Sequence, residues 1–307
     1  MKALRIHEYN AAPLIEDAQL PEIGPSEVIV RVTAASLNPL DVKMQHGYMD
    51  AFFPVNFPYI LGTDLAGTIE RTGSLATHWR AGDKVIARVD PSSGGVIAEF
   101  VIVPSNYLVR APSSVSLTDA AGLGTAAGTA WQALYEMADL KPGQTVLVHA
   151  GAGGVGSFAI QLARSAGARV IATASGSGID IARLLGADQV IDYRNENFAD
   201  KLSDVDIVLD TIGGETQQAS YGVLRTGGLL LATASPPDEA LAKAHNVTAT
   251  FVFHSSDAVR LTKIAKRVDE GALRILVDIQ VPLTDAVKAF DHQSSGRAKG
   301  KIIISME

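Results

Sequence analysis

The stretch Thr145–Gly156, TVLVHAGAGGVG, decides the fold of much of this chain. An apolar run that ends at His149 predicts a strand, and a loop with the spacing Gly151-x-Gly153-x-x-Gly156 separates it from an apolar segment that predicts a helix. In this context the first glycine permits a tight turn, the second lets a pyrophosphate approach the backbone, and the third lets helix and strand pack closely. The helix start offers free amide groups and a positive dipole end to phosphates. We therefore expect the loop to bind a dinucleotide through Gly151, Gly153, Gly154, Val155 and Gly156.

Alternating elements extend from this stretch toward the C-terminus. After a predicted helix over 120–137, helical segments alternate with apolar runs, and the predicted strands lie at 145–149, 169–173, 189–191, 206–209 and 229–232. That succession specifies a mostly parallel sheet with helices on both faces. Residues 1–112 instead show short apolar runs between Gly/Pro turns, such as EVIVRV at 27–32, which are typical of a β-rich unit. The predicted fold is α/β, with a β-rich unit followed by a doubly wound parallel sheet.

The end of the second strand of this sheet indicates which dinucleotide the loop holds. A site for NAD places Asp or Glu there, about 20 residues after the loop, to bind the ribose 2′-hydroxyl. This chain has TASGSG at 173–178 and no carboxylate before Asp180. A carboxylate would repel a 2′-phosphate, whereas Ser175 and Ser177 would cradle it, with Arg194 as a nearby cation. NADPH is therefore the predicted cofactor, and the alternative is a loose loop that binds either cofactor weakly.

Composition excludes several classes of function. The 307 residues include 26 Lys and Arg against 33 Asp and Glu, a net charge of -7, which argues against nucleic acid as the main partner. The chain has no cysteine, so disulfides, thiolate nucleophiles and Cys-ligated zinc are excluded. The longest uncharged stretch contains the glycine loop itself, so we expect no membrane span and a cytoplasmic location.

Five motifs together resemble a known family. They are NPLDVKMQHG at 38–47, LGTDLAG at 61–67, AGTAWQAL at 127–134, HAGAGGVG at 149–156 and VLDTIGG at 208–214. In this combination the chain resembles the medium-chain dehydrogenase/reductase superfamily and, within it, the zinc-free quinone oxidoreductases that include zeta-crystallin. The resemblance implies a GroES-like domain over 1–116, a Rossmann domain over 117–254 and a C-terminal segment, 255–307, that returns to the first domain. It also implies a homodimer formed through a Rossmann sheet edge, which the segment from Gly227 to Thr233 and Phe253 would supply.

The resemblance implies further cofactor contacts, each with a structural alternative. Thr129 would meet the nicotinamide mononucleotide half and Tyr193 the adenosine phosphate, while other lining positions match at Ile212, Phe251, Val252, Phe253 and Lys301. Thr129 is otherwise an ordinary helix residue, and the two phenylalanines are otherwise strand core. Many NADPH-binding members carry a Lys near the position of Gly178, which this chain lacks. Gly62-Thr63-Asp64 stands where the zinc branch has Gly-His-Glu, so we expect no metal.

The predicted catalytic residues lie in the segment 38–48, at Asn38, Asp41 and Lys43. The pattern Asn-Pro-x-Asp-x-Lys is similar to the branch that reduces the carbon–carbon double bond of enones and alkenals, whereas zeta-crystallin-like enzymes often carry Tyr in place of Lys43. Lys43 would stabilise an enolate or donate its proton, and Asp41 would hold it in place. The alternative is a solvated Lys beside a helix-capping Asp.

Other polar and aromatic residues give weaker signals. His46, His149 and His254 show no metal-ligand spacing and are predicted to be structural or solvated. An aromatic-rich stretch would wall a flat substrate, although core packing explains it equally well; it comprises Tyr48, Phe52, Phe53, Phe57 and Tyr59.

The sequence thus predicts an NADPH-dependent oxidoreductase that reduces a small-molecule quinone or α,β-unsaturated carbonyl by hydride transfer without zinc. Two alternatives stay open at this point. One is an enoyl-thioester reductase, and the other is a non-catalytic NADP-binding protein.

Overall fold

The computed structural model describes residues 1–20 and 22–306, which form two compact units. Unit 1 comprises Met1–Ala126 and Ser255–Glu307, and unit 2 comprises Ala127–His254. The first division falls after Ala126, within the helix Gly124–Trp131, whereas the predicted boundary lies after residue 116.

The elements follow one another in a β-rich, then alternating, then mixed order. The strands are β1 Lys2–Ile6, β2 Leu14–Asp17, β3 Glu27–Leu37, β4 Tyr59–Ile60, β5 Asp64–Thr72, β6 Lys84–Arg88, β7 Phe100–Pro104, β8 Val109–Arg110, β9 Thr145–Val148, β10 Arg169–Ala174, β11 Gln189–Asp192, β12 Val205–Asp210, β13 Leu224–Ala232, β14 Thr248–Phe251, β15 Val277–Pro282 and β16 Lys301–Ser305. The α-helices are α1 Pro39–Gln45, α2 Leu117–Ala120, α3 Gly124–Trp131, α4 Gly154–Ser165, α5 Gly178–Leu185, α6 Gly214–Tyr221, α7 Glu239–Ala244, α8 Ala258–Asp269 and α9 Ala286–Ser294. The helix predicted over 120–137 is thus broken after α2, and α3 continues as a π-helical turn over Gln132–Met137.

Unit 1 is built around the long strand β3. The larger sheet has the order β15-β16-β3-β5-β6-β8, with β7 also paired to β3, and a smaller sheet has the order β2-β1-β4. β7 pairs with Glu27–Arg31 of β3, whereas β16 pairs antiparallel with Ala34–Leu37. The C-terminal strand therefore completes the sheet that the N-terminal strands begin.

Strand β16 is buried on both of its faces. Successive side chains of a strand point to opposite faces, yet Ile302, Ile303 and Ile304 are each 0% exposed. Ile302 and Ile304 belong to the apolar core of unit 1, together with Leu37 and Leu65.

Truncating this strand in the core should destabilise unit 1. We expect Ile304→Ala to lower the free energy of unfolding by about 2–5 kcal/mol, because it removes buried methyl groups and leaves a cavity. Val259→Ala, at an exposed position of α8, serves as the control and should change stability by less than about 0.5 kcal/mol. Urea unfolding followed by fluorescence and circular dichroism measures both, and an equal effect of the two changes would contradict this view of β16.

Unit 2 contains a six-stranded parallel sheet. Its order is β11-β10-β9-β12-β13-β14, and every neighbouring pair is parallel. The chain moves outward from β9 in one direction and then returns to continue from β12 in the other, so the strand order reverses at β9. In such sheets a ligand binds beyond the carboxyl ends of the strands at this reversal. The predicted doubly wound parallel sheet is confirmed, and the glycine loop follows β9.

The predicted dimer edge is wrong in one respect. β13, which includes Gly227–Ala232, lies between β12 and β14 and has hydrogen-bonded neighbours on both sides. The edges of this sheet are β11 and β14, so only the part of the segment near Phe253 follows an edge strand. The homodimer itself stays a prediction. Within residues 1–20 and 22–306, no helix has both the length and the apolar character needed to cross a bilayer.

Candidate functional site

The tight turn of the glycine loop is made by Ala150 rather than by Gly151. Ala150 has φ 50, in the left-handed region, whereas Gly151 has no positive φ. Gly151 is required for packing, since a Cβ there would lie 2.8 Å from Ala172 Cβ and 2.9 Å from Ile160 Cδ1. Its amide donates to Thr173 O at 2.8 Å. The expected role of Gly151 in the turn is therefore corrected to close packing against β10 and α4.

Gly153 and Gly156 have the surroundings that the loop spacing predicts. A Cβ on Gly156 would overlap the carbonyl oxygen of Ala150, so only glycine lets α4 start this close to the loop. A Cβ on Gly153 would meet only Ala150 within 4 Å, at 3.2 Å from its oxygen, so Gly153 is otherwise open. Gly153, Gly154 and Val155 are partly exposed, and the amides in the first turn of α4 have no intrahelical acceptor. These residues fit the phosphates of a dinucleotide, which would lie against open backbone at a positive helix end.

The carboxyl end of β10 presents hydroxyl groups. Ser175 Oγ donates to Tyr193 OH at 2.9 Å, and Tyr193 is 55% exposed. Gly176 has φ 54 with nothing within 4 Å of a Cβ, and exposed Ser177 precedes α5. Arg194 is exposed one residue after Tyr193.

The carboxylate of Asp192, which lies near these hydroxyls, is bound to residues of the turn that follows β11. Asp192, the last residue of β11, lies opposite Ala174, and its oxygens accept from the Arg194 amide at 3.2 Å and Asn195 Nδ2 at 2.8 Å. The predicted 2′-phosphate residues therefore lie at neighbouring strand ends, and their role stays a prediction.

A buried carboxylate holds the loop that carries Ile212. Asp210 ends β12 and is fully buried, and it accepts from the Ile212 amide at 2.9 Å, the Gly213 amide at 3.0 Å and Gln217 Nε2 at 3.1 Å. The Ile212 side chain is exposed at the carboxyl end of β12, next to β9. The predicted site residues do not include Asp210, although an Asp followed by Thr-x-Gly-Gly after an apolar strand is a pattern typical of a side-chain-capped turn.

The other predicted cofactor contacts of unit 2 differ in exposure. Thr129 is buried in α3, and Val252 is buried with its amide donating to Ala232 O at 2.8 Å. Phe251 ends β14 and packs partly buried on the core of unit 2, as the strand-core alternative expects. Phe253 is exposed, and its carbonyl accepts from Gln132 Nε2 at 3.2 Å. Their contact with a cofactor stays a prediction.

Unit 1 contains a buried hydrogen-bond chain that includes Asn38 and Lys301. Lys301 Nζ donates to Leu37 O at 2.9 Å and Asn38 Oδ1 at 2.5 Å. Asn38 Nδ2 donates to Asp64 Oδ2 at 2.9 Å, and Asp64 accepts from the amide and hydroxyl of Thr125 in the first turn of α3. Two of the three ammonium hydrogens of Lys301 are therefore bound inside unit 1, which leaves at most one for a cofactor.

The predicted contact between Asp41 and Lys43 is wrong. Residues 39–45 form α1, and side chains two positions apart on a helix do not face each other. Asp41 Oδ2 instead accepts from the Asn38 amide at 2.7 Å, so Asp41 caps its own helix, as the alternative interpretation of this residue expects. Lys43 is partly buried, and this burial lowers the pKa of its ammonium.

Burial dominates the protonation of Asp41. The residue is 1% exposed, and burial raises the pKa of its carboxyl to about 7. Its second oxygen has no hydrogen-bond partner within the described part of the chain, and the same holds for three more buried atoms, Ser36 Oγ, Thr63 Oγ1 and Arg88 Nε. Ser36 and Arg88 lie opposite Asp64 on neighbouring strands, and Thr63 precedes it, so these atoms form one polar region around Asp64.

The raised pKa of Asp41 predicts that the contribution of this residue to the stability of unit 1 grows on mild acidification. The folded state holds the Asp41 proton up to about pH 7, whereas the unfolded state loses it near 3.8, so stability from this group rises as the pH falls from 8 toward 4. We expect Asp41→Asn to be more stable than the parent at pH 8, and the difference to shrink toward pH 4. Urea unfolding at several pH values measures this, with the exposed Asp200→Asn as the control. A difference that does not depend on pH would contradict the assignment.

The aromatic stretch after α1 divides into exposed and buried members. Tyr48 is 72% and Phe52 65% exposed, and Phe57 is exposed as well. Phe53 packs against the core of unit 1, and Tyr59 is buried with its hydroxyl donating to Pro91 O at 2.7 Å. A substrate wall formed by the exposed rings stays a prediction.

No metal site is evident in the residues that the structure describes. Over 1–20 and 22–306, no three or more side chains of His, Cys, Asp or Glu are placed to hold a metal ion. At the position where a zinc enzyme would have ligands, Asp64 accepts from Thr125 and Asn38 instead.

Comparison with known proteins identifies the family. Residues 24–113 match the alcohol dehydrogenase GroES-like domain, and residues 185–304 match a domain described as zinc-binding dehydrogenase. The chloroplast envelope quinone oxidoreductase homolog of Arabidopsis thaliana is 33% identical over 325 residues, which cover 99% of this chain and 98% of that protein. The chain belongs to the medium-chain dehydrogenase/reductase superfamily. The predicted GroES-like and Rossmann architecture is thereby confirmed.

Other relatives of this dehydrogenase/reductase support the assignment. The mitochondrial NAD(P)H oxidoreductase RTN4IP1 of Danio rerio is 32% identical over 95% of this chain and 87% of its own length. The 2-methylene-furan-3-one reductase of Solanum lycopersicum is 31% identical over 99% of this chain and 79% of its own length. The solved quinone oxidoreductase of Coxiella burnetii superposes with a TM-score of 0.93 at 31% identity, covering 100% of this chain and 99% of that one.

These findings establish the protein as an oxidoreductase that uses a nicotinamide cofactor and a small-molecule substrate. They do not distinguish whether the cofactor is NADPH or NADH. Two of the relatives are named for organelles, so the cytoplasmic location stays a prediction.

Proposed function

We propose that the protein is an NADPH-dependent reductase of quinones and α,β-unsaturated carbonyls that transfers hydride without zinc. The observation that carries the proposal lies at the carboxyl ends of β10 and β11, where the hydroxyls of partly buried Ser175 and exposed Tyr193 form a hydrogen-bonded pair and Ser175 takes the place of a carboxylate. The substrate class is supported by the relatives, since one is named a quinone oxidoreductase homolog and another is named for a substrate that is an enone.

The preference for NADPH follows from the charges near Ser175. A 2′-phosphate carries about two negative charges and accepts hydrogen bonds, so it favours hydroxyls and cations over carboxylates. Ser175, Ser177 and Tyr193 supply hydroxyls, the open left-handed turn at Gly176 leaves room for the phosphate, and Arg194 supplies the cation. NADH, which has a hydroxyl at this position, gains less from the same groups.

A carboxylate at position 175 should reverse or erase the preference. We expect Ser175→Asp to weaken NADPH binding about tenfold or more by charge repulsion, while NADH binding stays the same or improves through a ribose hydrogen bond. Fluorescence titration of both cofactors measures the two dissociation constants. Ser175→Asn is the matched control, because Asn has the shape of Asp without its charge, and this variant should retain the preference for NADPH. Equal affinity of the unchanged protein for both cofactors would contradict the proposal.

Lys43 is the proposed electrostatic catalyst for enones. A bound nicotinamide supplies the hydride. When a hydride adds to the β-carbon of an enone, negative charge grows on the carbonyl oxygen, and an ammonium stabilises that charge more than the neutral ground state. Partial burial lowers the pKa of Lys43, which favours donation of its proton to the oxygen.

Removal of the charge should impair enone reduction selectively. We expect Lys43→Met, which keeps the length of the side chain, to lower kcat for an enone about 10²-fold, the usual effect of losing one such donor. A quinone is a better electron acceptor and should lose less, and NADPH affinity should stay nearly unchanged.

Steady-state kinetics on quinones, enones and enoyl thioesters, together with a direct NADPH titration, measure these effects. Lys43→Arg keeps the positive charge but donates its proton poorly, so it separates electrostatic stabilisation from proton donation. An equal loss of kcat for quinones and enones, or no loss for either, would contradict the catalytic role and favour the alternative of a solvated surface Lys43. A clear preference for enoyl thioesters would instead support the alternative substrate class.

A further inference from the structure

His149 lies at the strand reversal of the parallel sheet and has all four of its polar groups paired. It follows β9, its amide donates to Leu209 O at 3.1 Å, and its carbonyl accepts from Thr211 Oγ1 at 2.9 Å. Its ring nitrogens contact Thr173 Oγ1 at 3.1 Å and Ser220 Oγ at 2.9 Å. The residue therefore joins β9 to the ends of β10 and β12 and to α6.

The hydrogen bonds of the neighbours assign the tautomer of His149. Ser220 has one hydroxyl hydrogen and donates it to Thr216 O at 2.6 Å, so Ser220 Oγ accepts from Nε2–H. Nδ1 then carries no hydrogen and accepts from the hydroxyl of Thr173. Burial lowers the pKa of His149 to about 4, which keeps the ring in this neutral form at physiological pH.

The Thr173 hydroxyl links His149 to the glycine loop. Because its hydrogen is directed to His149, its oxygen is free to accept from the Ala150 amide at 3.2 Å. The carbonyl of Thr173 accepts from the Gly151 amide at 2.8 Å. Thr173 thus binds the first two amides of the loop. One of these amides belongs to Ala150, whose backbone has the left-handed conformation. This conformation is strained for residues other than glycine.

We propose that His149 and Thr173 are positioning residues for the dinucleotide. A one-directional chain of hydrogen bonds runs from the Ala150 amide through Thr173, His149 and Ser220 to Thr216 O. It holds Ala150 left-handed, so that the amides of the following residues point toward the phosphates, and it fixes α6 relative to the loop. The inference rests on cofactor binding at this loop and does not depend on whether NADPH or NADH is preferred.

Substitutions at Thr173 test this chain of hydrogen bonds without altering any group that is proposed to contact the cofactor. Thr173→Val keeps the shape but leaves the Ala150 amide and His149 Nδ1 without their partner, whereas Thr173→Ser keeps the hydroxyl. We expect Thr173→Val to raise the dissociation constants of NADPH and NADH about tenfold and by the same factor, since a buried group loses its hydrogen bond. Thr173→Ser should restore both constants to within about twofold of the parent.

A matched core variant separates positioning from general loss of stability. Val208→Ala truncates a fully buried apolar residue of β12 whose side chain makes none of these hydrogen bonds, and it should lower the melting temperature at least as much as Thr173→Val, with both dissociation constants unchanged. If Val208→Ala weakens cofactor binding equally, or if Thr173→Val lowers stability alone, the positioning role is overturned.

Two spectroscopic readouts complete the test in the cofactor-free protein. The imidazole ¹⁵N signals of His149 should show a protonated Nε2 and an unprotonated Nδ1, and this tautomer should be lost in Ser220→Ala. Hydrogen exchange of the Ala150 amide should accelerate in Thr173→Val and not in Thr173→Ser. The opposite tautomer, or unchanged exchange in Thr173→Val, would overturn the assigned chain. If NADPH is not preferred, the unchanged protein will show similar dissociation constants for NADPH and NADH. The positioning role predicts only that Thr173→Val raises both constants by the same factor, so the two failures are distinguishable.

Discussion

The close approach of α4 to the loop after β9 is the constraint on which unit 2 depends. Helix α4 begins where Gly156 lies against the carbonyl of Ala150, and Gly151 lies against Ala172 and Ile160. A methyl group at either glycine would push the helix away from the sheet. Because the first turn of α4 is held against the end of β9, its free amides and positive dipole end lie at the strand reversal, where a phosphate is best stabilised.

The fold and the loop could be predicted because their signals are local in sequence. The glycine spacing, the apolar strand before it and the missing carboxylate after β10 lie within one strand–loop–helix–strand segment, and backbone geometry links them directly to structure. The turn residue could not be predicted in the same way. A left-handed alanine is unfavourable by local rules, and Ala150 adopts that conformation through a tertiary hydrogen bond to Thr173.

The polar interior of unit 1 shows what the sequence could not supply. Lys301 and Asn38 are separated by most of the chain, and only the pairing of β16 with β3 places their side chains together. The motif containing Asn38, Asp41 and Lys43 suggested a single catalytic group, but the fold directs these side chains differently. Asn38 connects Lys301 to Asp64, Asp41 caps α1, and Lys43 lies partly exposed. Residue types in a motif indicate possible chemistry, whereas side-chain direction depends on which element forms.

Two of the buried ionisable residues, His149 and Asp41, respond to acid in opposite directions. The pKa of His149 is lowered to about 4, so its neutral form stabilises unit 2 above pH 6.5, and that contribution is lost as the pH falls toward 4. The pKa of Asp41 is raised to about 7, so protonation over a similar range favours folded unit 1. Each shift corresponds to a few kcal/mol at about 1.4 kcal/mol per pKa unit. Over this range, protonation of His149 lowers its contribution to the stability of the unit that carries the glycine loop, whereas protonation of Asp41 adds to the stability of the unit that carries Lys43. The glycine loop therefore depends on the neutral imidazole, because a proton on Nδ1 of His149 would remove the acceptor that orients the Thr173 hydroxyl.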